Sequence, residues 1–235
     1  MQRWPFLISA LTTAAVIQSY VASALPAQFV SENVVFGESD GVVIVEAEHF
    51  HHQSLDDLRR WYVISAKHHP GAAPDGDPAH LEGASGGAYL EALPDTRRTH
   101  EDKLIVGENF SNEAGKLAVL HYRVHFTNPG RYYVWVRAYS TGSEDNGIHV
   151  GLNGKWPASG QRMQWCEGRH EWRWENAQRT KDHHCGVPGQ IWLDIETPGV
   201  HEIQFSLRED GFEFDKFSLS IRPENPVLGI DKLTF

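Results

Sequence analysis

The amino-acid sequence predicts an all-β chain, an antiparallel β-sandwich with loop insertions, and three observations predict it. Apolar residues recur with a period of two from Leu117 onward, the mark of half-buried strands. Asn128-Pro129-Gly130, Asn153-Gly154 and Pro198-Gly199 separate these runs with residues that favour turns. No internal repeat or low-complexity tract interrupts them, and regular short strands with Gly/Pro punctuation describe a sandwich.

The first strand carries Val45-Glu46-Ala47-Glu48. From Leu55 to Tyr62 a short helix is expected, with Ser54 as its cap and Asp56 and Asp57 in its first turn. Residues 70–87 read as loop. The strands that follow are Ala118, Leu120, Tyr122, Val124 and Phe126, with His121, Arg123 and His125 alternating; then Tyr132, Val134, Val136 and Ala138; then Ile148, Val150 and Leu152. A loop-rich insertion over 155–187 holds both cysteines and four of the eight tryptophans. Ile191, Leu193 and Ile195 resume the period, followed by Ile203, Phe205 and Leu207, and then by Phe212 and Phe214. The apolar phase then shifts to Phe217 and Leu219, which predicts a bulge or bend near Asp215-Lys216.

The 235 residues suffice for one sizeable core or at most two small ones. The formal charge of −10 excludes nucleic acid or an anionic membrane as the main partner, because phosphate binding needs a basic patch. Arg3, an apolar stretch over 5–21 and Ala22-Ser23-Ala24 read as a secretory signal cleaved after Ala24, with an uncleaved membrane anchor as the alternative. The expected organisation is a signal segment at 1–24, an extension at 25–41, the sandwich at 42–221 and a tail at 222–235. A secreted location, extracellular or periplasmic, follows from the signal. In an oxidising compartment Cys166 and Cys185 form a disulfide. The alternative, zinc held with His183 and His184, lacks a familiar ligand spacing.

Residues two apart on a strand share a face, so Glu46 and Glu48 project together, as do Glu213 and Asp215. Carboxylates gathered on otherwise apolar strands either face water on edge strands or are reconciled by a cation, and hard oxygen ligands suit calcium.

The order of several motifs resembles carbohydrate-binding modules of the family 6 and 35 type, and the C-terminal domain of family 115 glycoside hydrolases. The motifs are Val-Glu-Ala-Glu at 45–48, Ser85-Gly86-Gly87-Ala88-Tyr89-Leu90, Pro129-Gly130-x-Tyr132, Leu152-Asn153-Gly154, Pro198-Gly199-x-His201 and Gly211-Phe212-x-x-Asp215. The resemblance covers roughly residues 42–221 and implies a galactose-binding-like jelly roll with a structural calcium and a sugar-binding surface. It places Glu46, Glu48 and Asp215 at the calcium, Trp172 or Trp174 where the family often has a loop tryptophan, and Tyr89 near the family's other sandwiching aromatic. The chain departs from the pattern in its insertions at 51–80 and 155–187, which leave the position of a cleft open.

Trp165, Trp172 and Trp174 lie among Glu167, Arg169, Glu171, Arg173 and Glu175, a mixture that suits stacking on a pyranose with polar groups on its hydroxyls. One of the rings can instead cover the core, and Trp156 before Pro157 reads as packing at a turn. Ser143-Glu144-Asp145-Asn146-Gly147 is either a solvated hairpin loop or a group of oxygens for sugar or a second cation. Arg208, Glu209 and Asp210 either grip an acidic sugar or pair locally. His49 and His51 can share a face and bind a transition metal, or belong to surface clusters with His52, His68 and His69. Asn109-Phe110-Ser111 is a glycosylation sequon.

The residues therefore point to a non-catalytic module that binds a polysaccharide or oligosaccharide. Its expected binding groups are Trp172, Trp174, Trp165, Tyr89, Arg208, Asp210, Glu144 and Asn146, with structural calcium as the cofactor. The rival is a small secreted glycosidase or lyase, using paired carboxylates such as Glu144 or Asp145 with Glu209 or Asp210, or a His or Tyr base with Arg208. A purely structural matrix domain is a third reading.

Overall fold

The computed structural model describes residues 33–225; the expected signal segment, residues 25–32 of the extension and residues 226–235 of the tail lie outside the described residues. In chain order the strands are β1 (Phe36–Gly37), β2 (Val42–Glu46), β3 (His52–Ser54), β4 (Arg60–Ser65), β5 (Ala88–Leu93), β6 (Val119–Phe126) and β7 (Gly130–Tyr139). They continue as β8 (Gly147–Leu152), β9 (Met163–Gln164), β10 (Arg173–Glu175), β11 (Trp192–Ile195), β12 (Gly199–Leu207) and β13 (Glu213–Ser220).

Two sheets form an all-β sandwich. The first runs β1-β6-β12-β8-β9, with β3 also on β6; the second runs β10-β7-β13-β5-β4, with β11 on β7 and β2 on β13. Pairing is antiparallel apart from β1 with β6. The alternation of apolar and polar residues fixes which face each strand buries. Leu120, Tyr122, Val124 and Phe126 of β6 meet Tyr132, Val134, Val136 and Ala138 of β7 in one core, with Phe205, Phe212, Phe214 and Phe217 in the same cluster. Edge-to-face contacts such as Phe205 with Phe214 (4.9 Å) and Tyr122 with Phe217 (4.9 Å) fill it.

The opening and closing strands lie side by side: β2 pairs with β13, with Lys216 opposite Glu46. The predicted bulge is present, since the register of β13 on β7 shifts between Phe214 and Lys216. Asp215 is the extra residue there. A disulfide joins Cys166 to Cys185, with Cα atoms 5.2 Å apart.

The helix expected over Leu55–Tyr62 is corrected. Leu55 takes a left-handed backbone (φ 53°), and Arg60–Ser65 is a strand paired with β5 at the sheet edge. The physical reason is the alternation Trp61, Tyr62, Val63: Trp61 and Val63 join the core, and Trp61 Nε1 donates to the Ala118 carbonyl (2.8 Å). Tertiary packing of one large ring outweighs the capping signals ahead of it. Among the described residues no α-helix occurs and no helix is long and apolar enough to cross a membrane.

Candidate functional site

The core-facing residues of β7 leave Tyr133, Trp135, Arg137 and Tyr139 on the opposite, outward face of the second sheet, all half-buried. Strand pairing extends that face sideways, because cross-strand partners point the same way. Trp174 lies opposite Arg137, Lys216 lies opposite both Arg137 and Glu46, and Glu213 lies opposite Tyr139 and Glu91. The outer face is thus an aromatic strip flanked by a band of charge.

The end of the first insertion and the part of the second around Trp172 fold onto this face, while β3 and β9 from the same insertions join the other sheet. Trp172, just ahead of β10, donates from Nε1 to the His80 carbonyl (3.1 Å) and packs edge-on against Tyr89 (5.1 Å) and Tyr139 (5.4 Å). His80 stacks on Tyr139 at 3.9 Å. Arg137 donates to the Gly83 carbonyl (3.0 Å), and its guanidinium sits 5.6 Å from the centre of the Trp172 ring. Between these groups opens a groove of about 500 Å³, lined by His80, Gly83, Arg137, Tyr139, His170 and Trp172. The size suits a small ligand or a few sugar units. The disulfide holds this arrangement from one side, since Cys166 lies six residues before Trp172 and ties its segment to the one leading into β11.

Beside the groove, Glu46, Glu48 and Asp215 converge. The Ser85 hydroxyl donates to Glu46 Oε1 (2.8 Å), the Ser85 N–H donates to Asp215 Oδ1 (2.7 Å), and Arg137 donates to Asp215 Oδ2 (2.5 Å). Glu46 Oε2 and Glu48 Oε2 are buried without a hydrogen-bond partner. Burial pushes the Glu48 carboxyl up to about 8, and burial also raises Glu46 and Asp215. Two orphaned carboxylate oxygens beside a third carboxylate are the hard donor chemistry that calcium takes, though the three are not among the sets of described residues whose ligand atoms all lie within 4.8 Å of one another.

The remaining expected binding residues are held elsewhere or turned inward. Trp174 is half-buried on the outer face, 5.7 Å from Lys216 Nζ. Trp165 is buried in the core against Phe212 (5.1 Å), and Tyr89 is buried beneath Trp172. Neither offers a free ring face to a ligand. The polar loop groups are engaged with one another. Glu144 pairs with Arg97, Asp145 accepts from Ser140, Thr141 and Gly142, and the Asn146 N–H donates to Glu209. Arg208 pairs with Glu209 over the Phe110 ring, and Asp210 accepts from Arg59 and Thr96. Arg208, Asp210, Glu144 and Asn146 are consequently buried and tie loops together, because unpaired polar groups at that depth are costly. Asn109 of the sequon is buried too, its amide donating to Thr96 and Lys103.

His51 and His52 meet His121 on the first sheet (centroids 6.3 and 5.0 Å), where Glu202 lies 3.3 Å from His121. A separate cavity of about 680 Å³ between β3 and β4 includes His51, His52 and His68.

Sequence reasoning missed Tyr133, Trp135, Arg137, Tyr139, His80 and His170. A signal for the first four was present: the residues between the core positions of β7 are three aromatics and an arginine, an outward face too apolar for open solvent.

The family model for the glycosyl hydrolase family 115 C-terminal domain matches residues 35–223. The uncharacterized protein P23 of Formosa agariphila is 59% identical over 191 residues, 81% of this chain and 46% of that relative; the chain thus spans about half of the curated relative's length. Among solved structures, a family 35 carbohydrate binding module from Clostridium thermocellum is 14% identical with a TM-score of 0.41, covering 76% of this chain and 96% of that one. The corresponding module from Paenibacillus barcinonensis is 13% identical with a TM-score of 0.41, covering 75% and 97%.

Proposed function

Because the chain belongs to the family of glycosyl hydrolase family 115 C-terminal domains, we propose that it is a secreted, non-catalytic module that binds a polysaccharide in the groove between Trp172, Tyr139 and Arg137. The observation that carries this reading is the outward aromatic face of β7, roofed by Trp172 and open along His170. A ring stacks on the CH face of a pyranose while Arg137, His80 and His170 take its oxygens. Trp174 extends the same face toward Lys216. Structural calcium at Glu46, Glu48 and Asp215 neutralises the carboxylates beneath the groove and fixes Ser85 and Arg137 through Asp215. The disulfide supports a secreted location, since such bonds persist in oxidising compartments.

Affinity electrophoresis and pull-down on a panel of neutral and acidic polysaccharides test the reading. Retention by at least one glycan, lost in Trp172→Ala, is expected. A folded, calcium-loaded protein that none of the panel retains refutes it, as does retention that Trp172→Ala leaves intact.

A further inference from the structure

Behind His80 the structure holds a second set of ligating groups that the calcium cluster does not use. Glu213 lies two residues before Asp215, on the other side of the bulge, and faces Glu91 and Tyr139 rather than Glu46. One ligand atom each from Asp77, His80 and Glu213 lies within 4.8 Å of the other two, and the same is true of Asp75, Asp77 and Glu91. Asp77 belongs to both sets. His80 Nδ1 meets Glu213 Oε1 at 2.7 Å, but one imidazole proton cannot serve the oxygens gathered there. Glu91 is 2% exposed and its Oε1 has no hydrogen-bond partner; Asp75 Oδ1 has none either. Glu213 is also 2% exposed, and besides His80 its carboxyl has the Tyr89 hydroxyl as a hydrogen-bonding neighbour. A buried carboxylate oxygen without a donor is costly. The orphaned oxygens of Glu91 and Asp75, set beside Asp77 and through it the His80–Glu213 pair, call for a cation.

We propose that Asp77, His80 and Glu213 bind a divalent transition-metal ion of the zinc or manganese class, with Glu91 and Asp75 closing the site from behind. The donor set separates this ion from calcium: an imidazole nitrogen with carboxylates suits zinc and manganese, whereas all-oxygen sets suit calcium. Access comes from outside, because Asp77 and His80 line a cavity of about 740 Å³ with Arg98, Thr141 and His170. The insertion supplies Asp75, Asp77 and His80, and the sheet supplies Glu91 and Glu213. Two separate parts of the chain therefore build one site.

The test is calorimetric titration of the full chain with zinc and, separately, manganese, in calcium sufficient to fill the Glu46 cluster, with metal content measured after dialysis. One ion per chain is expected. His80→Ala and Asp77→Asn alter residues at the cavity wall, and each should weaken binding by about ten-fold or more, since even outer-shell changes cost about that much. Glu213→Gln should do the same if its thermal unfolding shows a folded protein. A double variant, His183→Ala with His184→Ala, controls for exposed histidines and should bind as wild type. The proposal falls if neither ion binds stoichiometrically. It falls equally if binding survives in His80→Ala and Asp77→Asn, or disappears with His183 and His184.

Discussion

Replacing Glu48 by glutamine isolates the energetic consequence of gathering carboxylates beside β13. Its carboxyl is buried, one oxygen lacks a partner, and burial lifts it from 4.5 to about 8. The unfolded chain ionises the same group near its ordinary value. A carboxyl raised on folding contributes stability that is whole below about pH 4.5 and is lost as pH rises toward 8. Each pH unit across that window removes about 1.4 kcal/mol, so about 3 kcal/mol has gone by neutral pH. In a chain of this size that corresponds to roughly 6–12 °C in Tm. Thermal unfolding of calcium-stripped protein from about pH 5 to about pH 8, repeated with excess calcium, reads the effect. Glu48→Gln keeps a neutral group of the same shape, so without calcium the variant should lose this share of the pH slope and be the more stable protein at pH 8. Glu91, Asp95 and Glu213 are also raised by burial, but they contribute to both proteins and cancel in the comparison. Calcium should raise the wild-type Tm most at the alkaline end and act weakly on the variant. Equal slopes in the two stripped proteins would refute the burial argument, and a wild-type Tm indifferent to calcium would refute the cation.

Trp172→Ala should weaken glycan binding by about 2 kcal/mol, roughly thirty-fold, as loss of a central aromatic anchor does; affinity electrophoresis on the retained glycan measures it. Serine at both Cys166 and Cys185, which are separated by 19 residues, should cost about 3 kcal/mol by freeing the unfolded chain, read by denaturant unfolding with an m-value that rises as the unfolded chain expands. Arg59→Met should cost about 3 kcal/mol, because it leaves the fully buried Asp210 with hydrogen bonds from Thr96 but without its cation. The glycan affinity of that variant should stay within about two-fold at a temperature where it is folded, since Arg59 lies outside the groove.

The sandwich was legible because period-two alternation specifies a face at every residue. Phe212, Phe214, Phe217 and Leu219 even carried the bulge, as a change of phase that a continuous ladder cannot absorb. The pairing of β2 with β13 brings Glu46 and Asp215 together across Ser85, a closeness that charge alone left open, since the acids could equally have faced water on edge strands. The helix was misread because Ser54, Asp56 and Asp57 are local signals, whereas the burial of Trp61 under Ala118 is a contact across the sandwich. The loop groups were misplaced for a related reason. Glu144, Arg208 and Asp210 look solvated in sequence, and their partners Arg97, Glu209, Arg59 and Thr96 are mostly remote along the chain. Alternation reports which residues oppose the core; it says nothing about what a distant insertion lays over them.

On the proposed reading, that covering explains where recognition would be built in this chain. At the loop end of the sandwich, polar side chains that could meet a ligand already satisfy one another, and freeing them would expose buried charge. On the outer face of the second sheet the balance is reversed. Aromatic rings there outnumber the core positions left for them, and Trp172 and His80 cover part of them while leaving a groove open. On the proposed reading, a sugar ring in that groove would complete the cover with apolar CH surface and bring hydroxyls to Arg137 and His170. The same two insertions that separate this chain from a plain sandwich therefore supply the wall, the roof and the disulfide that restrains them. A change that loosens the 155–187 segment should reduce glycan binding before it unfolds the core.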